Sequence, residues 1–141
     1  MQFCAFTLLW LGRFWTRQLP IWRVLVCILL FAAAATLSWT SAKALGSQLR
    51  IDAALGAEHQ LVQSGPYALV RNPIYTSMLA VFCAMAVIVT PLWLFLVALL
   101  LFIIGTEIRV RTEEKLLESR FGEEFANYRR QVPAYIPFLR A

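Results

Sequence analysis

One histidine, His59, and three cysteines are the only nitrogen and sulfur metal ligands in this chain. Cys4, Cys27 and Cys83 lie far apart, each in an apolar run, and no CxxC pair occurs. No metal site is expected from such a set, and the cysteines read as small packing hydrophobes. Charge is scarce as well, with Asp, Glu, Lys and Arg making up 15% of 141 residues. No stretch alternates Lys or Arg with aromatics in the manner of a single-strand groove, so nucleic acid is not an expected partner. The strand, glycine-rich loop and helix that open a dinucleotide-binding sheet are missing. Internal repeats and low-complexity tracts are missing too.

Apolar sequence is what the chain has in abundance. Hydrophobic residues make up 60% of it, with a mean hydropathy of +0.67, against roughly 45–50% apolar in soluble domains. The expected class is an all-α integral membrane protein, one domain over residues 1–141, with the lipid bilayer as its first partner. The net charge of +5 is unevenly placed, since most charged residues fall between Glu107 and Arg140. Beside apolar spans, such basic charge reads first as an orientation signal.

Residues 1–20 hold an apolar run, 3–15, shorter than the roughly 17–25 residues of a spanning helix. Arg13 and Arg17 stand at its far end and no small-residue cleavage site appears, so an interfacial or half-inserted helix is expected. The first convincing span is 21–41, in which Arg23 can snorkel and Trp22 and Trp39 mark the boundaries. The Ala32 to Ala35 run offers a small face for close helix contact. Residues 41–64 are mixed and polar, with room for a short helix around Ile51 to Leu55. Residues 74–90 and 92–108 then form two apolar segments joined at Thr90-Pro91, a join tight enough to require an antiparallel helical hairpin. The second segment continues into Glu107-Ile108-Arg109-Val110-Arg111-Thr112-Glu113-Glu114, which must leave the hydrocarbon. Phe121-Gly122 should end this helix, and an amphipathic helix should follow to Gln131 with Phe125 and Tyr128 on one side. Residues 109–141 thus form a cytoplasmic helical tail. The total is three transmembrane helices, or four if residues 1–20 also cross.

Orientation follows from counting. Three spans put Lys43, Arg50, Arg71, Arg109, Arg111, Lys115, Arg120, Arg129, Arg130 and Arg140 on one side and only Arg13, Arg17 and Arg23 on the other. The richer side is expected to be cytoplasmic, which in a bacterium means the inner face of the inner membrane.

Chemistry is expected where the loop Gly65-Pro66-Tyr67-Ala68-Leu69-Val70-Arg71-Asn72-Pro73-Ile74-Tyr75 enters the hairpin. Pro66 and Pro73 push the residues before them toward extended geometry, and Pro73 suits a first helical turn. Sixteen residues back from the hairpin tip lies Ile74 and sixteen forward lies Glu107, both about 24 Å from the tip at 1.5 Å per residue. Arg71 to Tyr75 should therefore adjoin Glu107 to Glu113, with Arg109 and Glu113 on one helix face.

The ordered set His59-Gln60-Leu61-Val62, Gly65-Pro66-Tyr67, Arg71-Asn72-Pro73-Ile74-Tyr75, Arg109 with Glu113-Glu114, Phe121-Gly122-Glu123-Glu124-Phe125, Tyr128, Val132-Pro133 and Ile136-Pro137-Phe138 resembles the isoprenylcysteine carboxyl methyltransferase family. The match runs from about His59 to Phe138; the residues before it match only as generic membrane sequence. The resemblance implies an integral membrane methyltransferase that uses S-adenosylmethionine and has no Rossmann sheet. It implies cofactor contacts at His59, Gln60, Leu61, Val62, Tyr67, Asn72, Pro73, Ile74, Tyr75 and Glu113, and it makes Arg109 the residue that holds a lipophilic methyl acceptor. The family pattern has His where Asn72 stands. An amide hydrogen-bonds but does not titrate near neutral pH, so position 72 is read as a cofactor contact that tolerates an amide.

The residue types suit that ligand on their own chemistry. A carboxylate can accept from an ammonium or ribose hydroxyls, tyrosine faces can meet a cation or adenine, and arginine can grip a carboxylate bidentately. The plainer readings are aromatic-belt tyrosines and an exposed helix ion pair worth about 0.3–0.5 kcal/mol. An NADPH-dependent sterol reductase and a non-catalytic membrane adaptor are the competing functions. The sequence leaves the acceptor open among a prenylated protein, an isoprenoid thioether acid, a lipid and a small thiol.

Overall fold

The structure is a computed structural model that describes residues 2–9, 19–46, 61–89 and 91–137. Five α-helices and one 3-10 turn make up the described residues, which contain no strand: α1 (Gln2–Leu9), α2 (Ile21–Leu45), the turn Gly65–Ala68, α3 (Pro73–Val89), α4 (Leu92–Phe121) and α5 (Glu123–Gln131). The all-helical expectation is met. The short helix expected around Ile51 to Leu55 lies outside the described residues.

Each helix starts and stops on local chemistry. Pro20 and Pro91, both extended, precede α2 and α4, and Pro73 opens α3, where a missing N–H costs nothing. Gly46 and Gly122 end α2 and α4 at φ 52° and 49°, conformations that side chains with a Cβ rarely adopt. Helix α2 runs past the expected boundary near Trp39 to Leu45, because Ala42, Lys43, Ala44 and Leu45 continue a helix where hydropathy falls. Thr36, Thr40 and Ser41 return their hydroxyls to carbonyls three or four residues back, so they carry no unmet donor within the helix.

Helices α2 and α4, at 25 and 30 residues, are long and apolar enough to cross a membrane; α3 is shorter. Thirty residues extend about 45 Å, against roughly 30 Å of hydrocarbon, so the charged end of α4 overhangs the apolar layer.

Helix α1, expected to be interfacial or half-inserted, packs into the helical core. Ala5 and Leu9 are fully buried, in one core with Phe82 and Ala86 of α3 and Ala98 and Phe102 of α4. Phe6 sets its ring edge-on to Phe82 and Phe102, at 5.5 and 6.1 Å, while those two rings stack at 5.0 Å. The cause is tertiary: Ala5, Phe6 and Leu9 share one face, which fills the space between two helices that meet through large aromatics. Gln2 donates to Thr106 at 2.9 Å while Phe6 meets Phe102, so α1 runs antiparallel to α4. Ala44 lies against Gly65, and α2 packs closely along α3. The starts of α1 and α3 and the end of α2 thus gather at the level where α4 begins its overhang.

Candidate functional site

The α4 overhang carries polar groups on two adjoining faces. On the first, the Tyr75 hydroxyl donates to Glu113 Oε1 at 2.6 Å, and Arg109 Nε approaches the same oxygen at 3.3 Å from one turn away. The second carboxylate oxygen, Oε2, has no protein donor among the described residues, and the Glu113 side chain is 36% exposed. Arg109 is mostly in solvent. Tyr67 comes within electrostatic reach of this carboxylate: burial first, and the Glu113 charge second, push its phenol up to about 12.

On the second face Arg71 pairs with Glu114 at 2.5 Å, with side chains only 12% and 13% exposed. Arg129 of α5 stands 3.8 Å from the other Glu114 oxygen. Arg71 Nε is buried without a partner among the described residues. Glu107, two turns before Glu114, accepts from Tyr135 at 3.0 Å and from Arg111 at 2.7 Å.

The loop before α3 is held from both sides. Gly65, at φ 63°, lets the chain turn against Ala44, and Pro66 sets the next residue. The Tyr128 hydroxyl of α5 donates to the Tyr67 carbonyl at 2.6 Å, which anchors the backbone under the Tyr67 ring. From the C-terminal side, the Pro133 and Ala134 carbonyls accept the Arg71 and Asn72 amides at 2.9 and 3.1 Å, and the Tyr135 carbonyl accepts the Thr76 hydroxyl at 2.8 Å.

Of the residues expected in the site, Tyr75, Arg109 and Glu113 converge, and Tyr67 stands within electrostatic reach of the same carboxylate. Leu61 and Val62 are half-buried in the segment leading to the turn. Asn72 spends its side chain on the Ala134 carbonyl, at 3.3 Å, and so joins the contact with the C-terminal segment. Pro73 is fully buried, and Ile74 is half-buried with its carbonyl accepting from Ser77. His59 and Gln60 lie outside the described residues. Sequence reasoning missed the roles of Arg71, Glu114, Tyr128 and Tyr135. Arg71 and Glu114 stood inside the motifs already quoted, next to residues that received a role; Tyr135 carried no local signal at all.

Comparison with known proteins bears on the family of the chain. The phospholipid methyltransferase family model matches residues 22–124, a stretch holding Tyr67, the three converging side chains and both members of the Arg71–Glu114 pair. The cobalt-zinc-cadmium resistance protein CzcN of Cupriavidus metallidurans is 38% identical over 79 residues, 56% of this chain and 36% of that protein. The methanethiol S-methyltransferase of Crocosphaera subtropica is 34% identical over 73 residues, 52% of this chain and 28% of that protein. The alignments thus span about a third of these relatives' lengths. No solved structure matches. With a family match over more than half its length, an all-helical apolar frame and the ordered motifs of the isoprenylcysteine type, the chain belongs to the phospholipid methyltransferase family of membrane methyltransferases.

Proposed function

We propose that the chain uses S-adenosylmethionine to methylate a lipophilic or carboxylate-bearing acceptor at the cytoplasmic face of the membrane. The convergence of Tyr75 and Arg109 on one Glu113 oxygen, with no described residue donating to the other, carries this reading. The donor set fits the ligand. Glu113 Oε2 can accept from an ammonium or hydroxyl group, and the two tyrosines can offer ring faces to a cation or adenine. When bound, the cofactor supplies an electrophilic methyl group on a sulfonium.

The protein's own work is then positioning and exclusion of water. Exposed Arg109 is suited to grip an acceptor carboxylate bidentately, one helical turn from the group that holds the cofactor. An acceptor that arrives ionised, as carboxylate or thiolate, needs no general base, which accords with an amide at Asn72. The ten-to-three split of basic residues supports the cytoplasmic side. A thiol acceptor is the second reading, favoured by similarity to a protein named for methanethiol S-methylation. A sterol reductase is disfavoured by the family match.

The test is incubation of the purified chain and host membrane extract with methyl-labelled S-adenosylmethionine, followed by identification of the product. Label in a base-labile ester supports a carboxylate acceptor, and label in a volatile thioether supports a thiol. Absence of both label transfer and S-adenosylhomocysteine binding overturns the proposal.

A further inference from the structure

Three successive carbonyls of the C-terminal segment are used on the start of α3. Pro133 takes the Arg71 amide, Ala134 takes the Asn72 amide and side chain, and Tyr135 takes the Thr76 hydroxyl. With its carbonyl so held, Tyr135 extends its hydroxyl to Glu107 on α4. The segment therefore does more than cover a surface: it is bonded to the start of α3 through its backbone and to α4 through one phenol.

The core makes such a tie useful. In the membrane layer α3 and α4 meet through stacked rings and through α1, contacts that are apolar and carry no directional bond to the site. Near the site polar bonds add to the apolar packing of Val70, Pro73, Val110 and Phe125, among them Tyr75 to Glu113, Arg71 to Glu114 and Tyr135 to Glu107. Tyr75 lies in the turn that the strap grips, and Glu107 lies six residues before Glu113 on one helix. A shift of the strap would move the Tyr75 hydroxyl relative to the Glu113 carboxylate.

We propose that residues 132–137 form a strap that sets the start of α3 against the α4 overhang, and that Tyr135, acting through Glu107, is a positioning residue for the Tyr75–Glu113 pair. The inference rests on the methyltransferase reading above. Tyr135 touches neither cofactor nor acceptor in this account; it fixes the spacing of the groups that do. Asn72 serves the same strap, which gives a physical use to an amide where the family pattern has an imidazole.

The test is calorimetric titration of S-adenosylhomocysteine into the full chain in nanodiscs, with melting temperatures and steady-state rates for the same samples. Tyr135→Phe and Glu107→Ala should each raise the dissociation constant roughly fivefold to tenfold, less than the 10- to 150-fold worth of a direct hydrogen bond to a charged group, because the pair acts on the site only through position. The KM for cofactor should rise while kcat stays near wild type. The double variant should be no weaker than the weaker single variant, because both substitutions remove the Tyr135–Glu107 bond and the Arg111 pair that Glu107→Ala also removes is exposed. A lowered melting temperature with unchanged binding would mean a structural tail and overturn the proposal, as would losses that multiply in the double variant. Thr76→Val, which removes a different strap bond, gives an independent check: it should raise the dissociation constant in the same direction, and unchanged binding counts against the strap. Wild-type protein that fails to bind S-adenosylhomocysteine overturns the methyltransferase reading and the strap's role with it. Binding by wild type and variants alike overturns the strap alone.

Discussion

Replacing Glu113 by Gln keeps an oxygen for the Tyr75 hydroxyl to donate to and removes only the charge. The two neighbours of this carboxylate differ in what they contribute. Arg109 Nε stands 3.3 Å away, with its side chain 66% exposed, so the pair falls in the range of about 0.3–0.5 kcal/mol for exposed i,i+4 ion pairs. A ligand ammonium on the free oxygen would make a charge-assisted bond worth about 1.5–3 kcal/mol, or roughly a 10- to 150-fold change in affinity. Glu113→Gln should therefore weaken S-adenosylhomocysteine binding by at least tenfold with little change in melting temperature. Arg109→Ala should bind the cofactor product within about twofold of wild type yet lose turnover, because its proposed partner is the acceptor. Calorimetric titration of each variant, with melting curves on the same preparations, separates the outcomes. Equal losses of cofactor affinity in both variants would refute the division of labour and return Arg109 and Glu113 to a single structural pair.

The Arg71–Glu114 pair is nearly buried, so Arg71→Met should cost about 3 kcal/mol by leaving the carboxylate only the looser Arg129 contact, while Arg71→Met combined with Glu114→Leu should recover most of the lost melting temperature. Tyr67 and Tyr128 both have phenols raised from the ordinary value of 10.0 to about 12, chiefly by burial. Their stabilising contribution is complete below pH 10 and is lost as pH climbs toward 12; a denaturation series should show this fall, and Tyr128→Phe should reduce it. Reporter fusions placed after Leu139 should give a cytoplasmic signal, and a signal from the opposite side would invert the topology and remove the site from the cofactor's compartment.

Much of the frame was legible because it rests on local chemistry. Pro73, Pro91 and Gly122 bound helices by excluding the alternatives, and a reader of the chain needs no partner element to see it. The end of α2 was not legible by hydropathy, since Ser41 and Lys43 lower the apolar average without disfavouring the helix that reaches Leu45. Helix α1 was harder still. A run of thirteen mostly apolar residues looks the same whether it rests at an interface or fills a gap. Only the rings of Phe82 and Phe102, some eighty and one hundred residues on, decide between them.

The site shows where counting along a hairpin succeeds and where it needs side-chain direction. Equal rise put Ile74 opposite Glu107, yet Tyr75 bonds Glu113, about two turns further out, and Arg71 bonds Glu114, about one turn further out. Side chains on a helix lean toward its N-terminus. In antiparallel helices that lean works in opposite directions: Tyr75 reaches outward toward the overhang, and Glu113 reaches back toward the membrane, so distant levels meet. The same geometry separates the adjacent carboxylates Glu113 and Glu114, which point about 100° apart around α4. One faces Tyr75 and Arg109 and keeps an open oxygen; the other is consumed by Arg71. Two neighbouring glutamates in the sequence are thus divided between a solvent-open carboxylate, the one proposed to meet the cofactor, and a nearly buried ion pair. The division is set by Arg71, by α5 and by a C-terminal segment whose carbonyls carry no trace in the identity of Pro133, Ala134 or Tyr135.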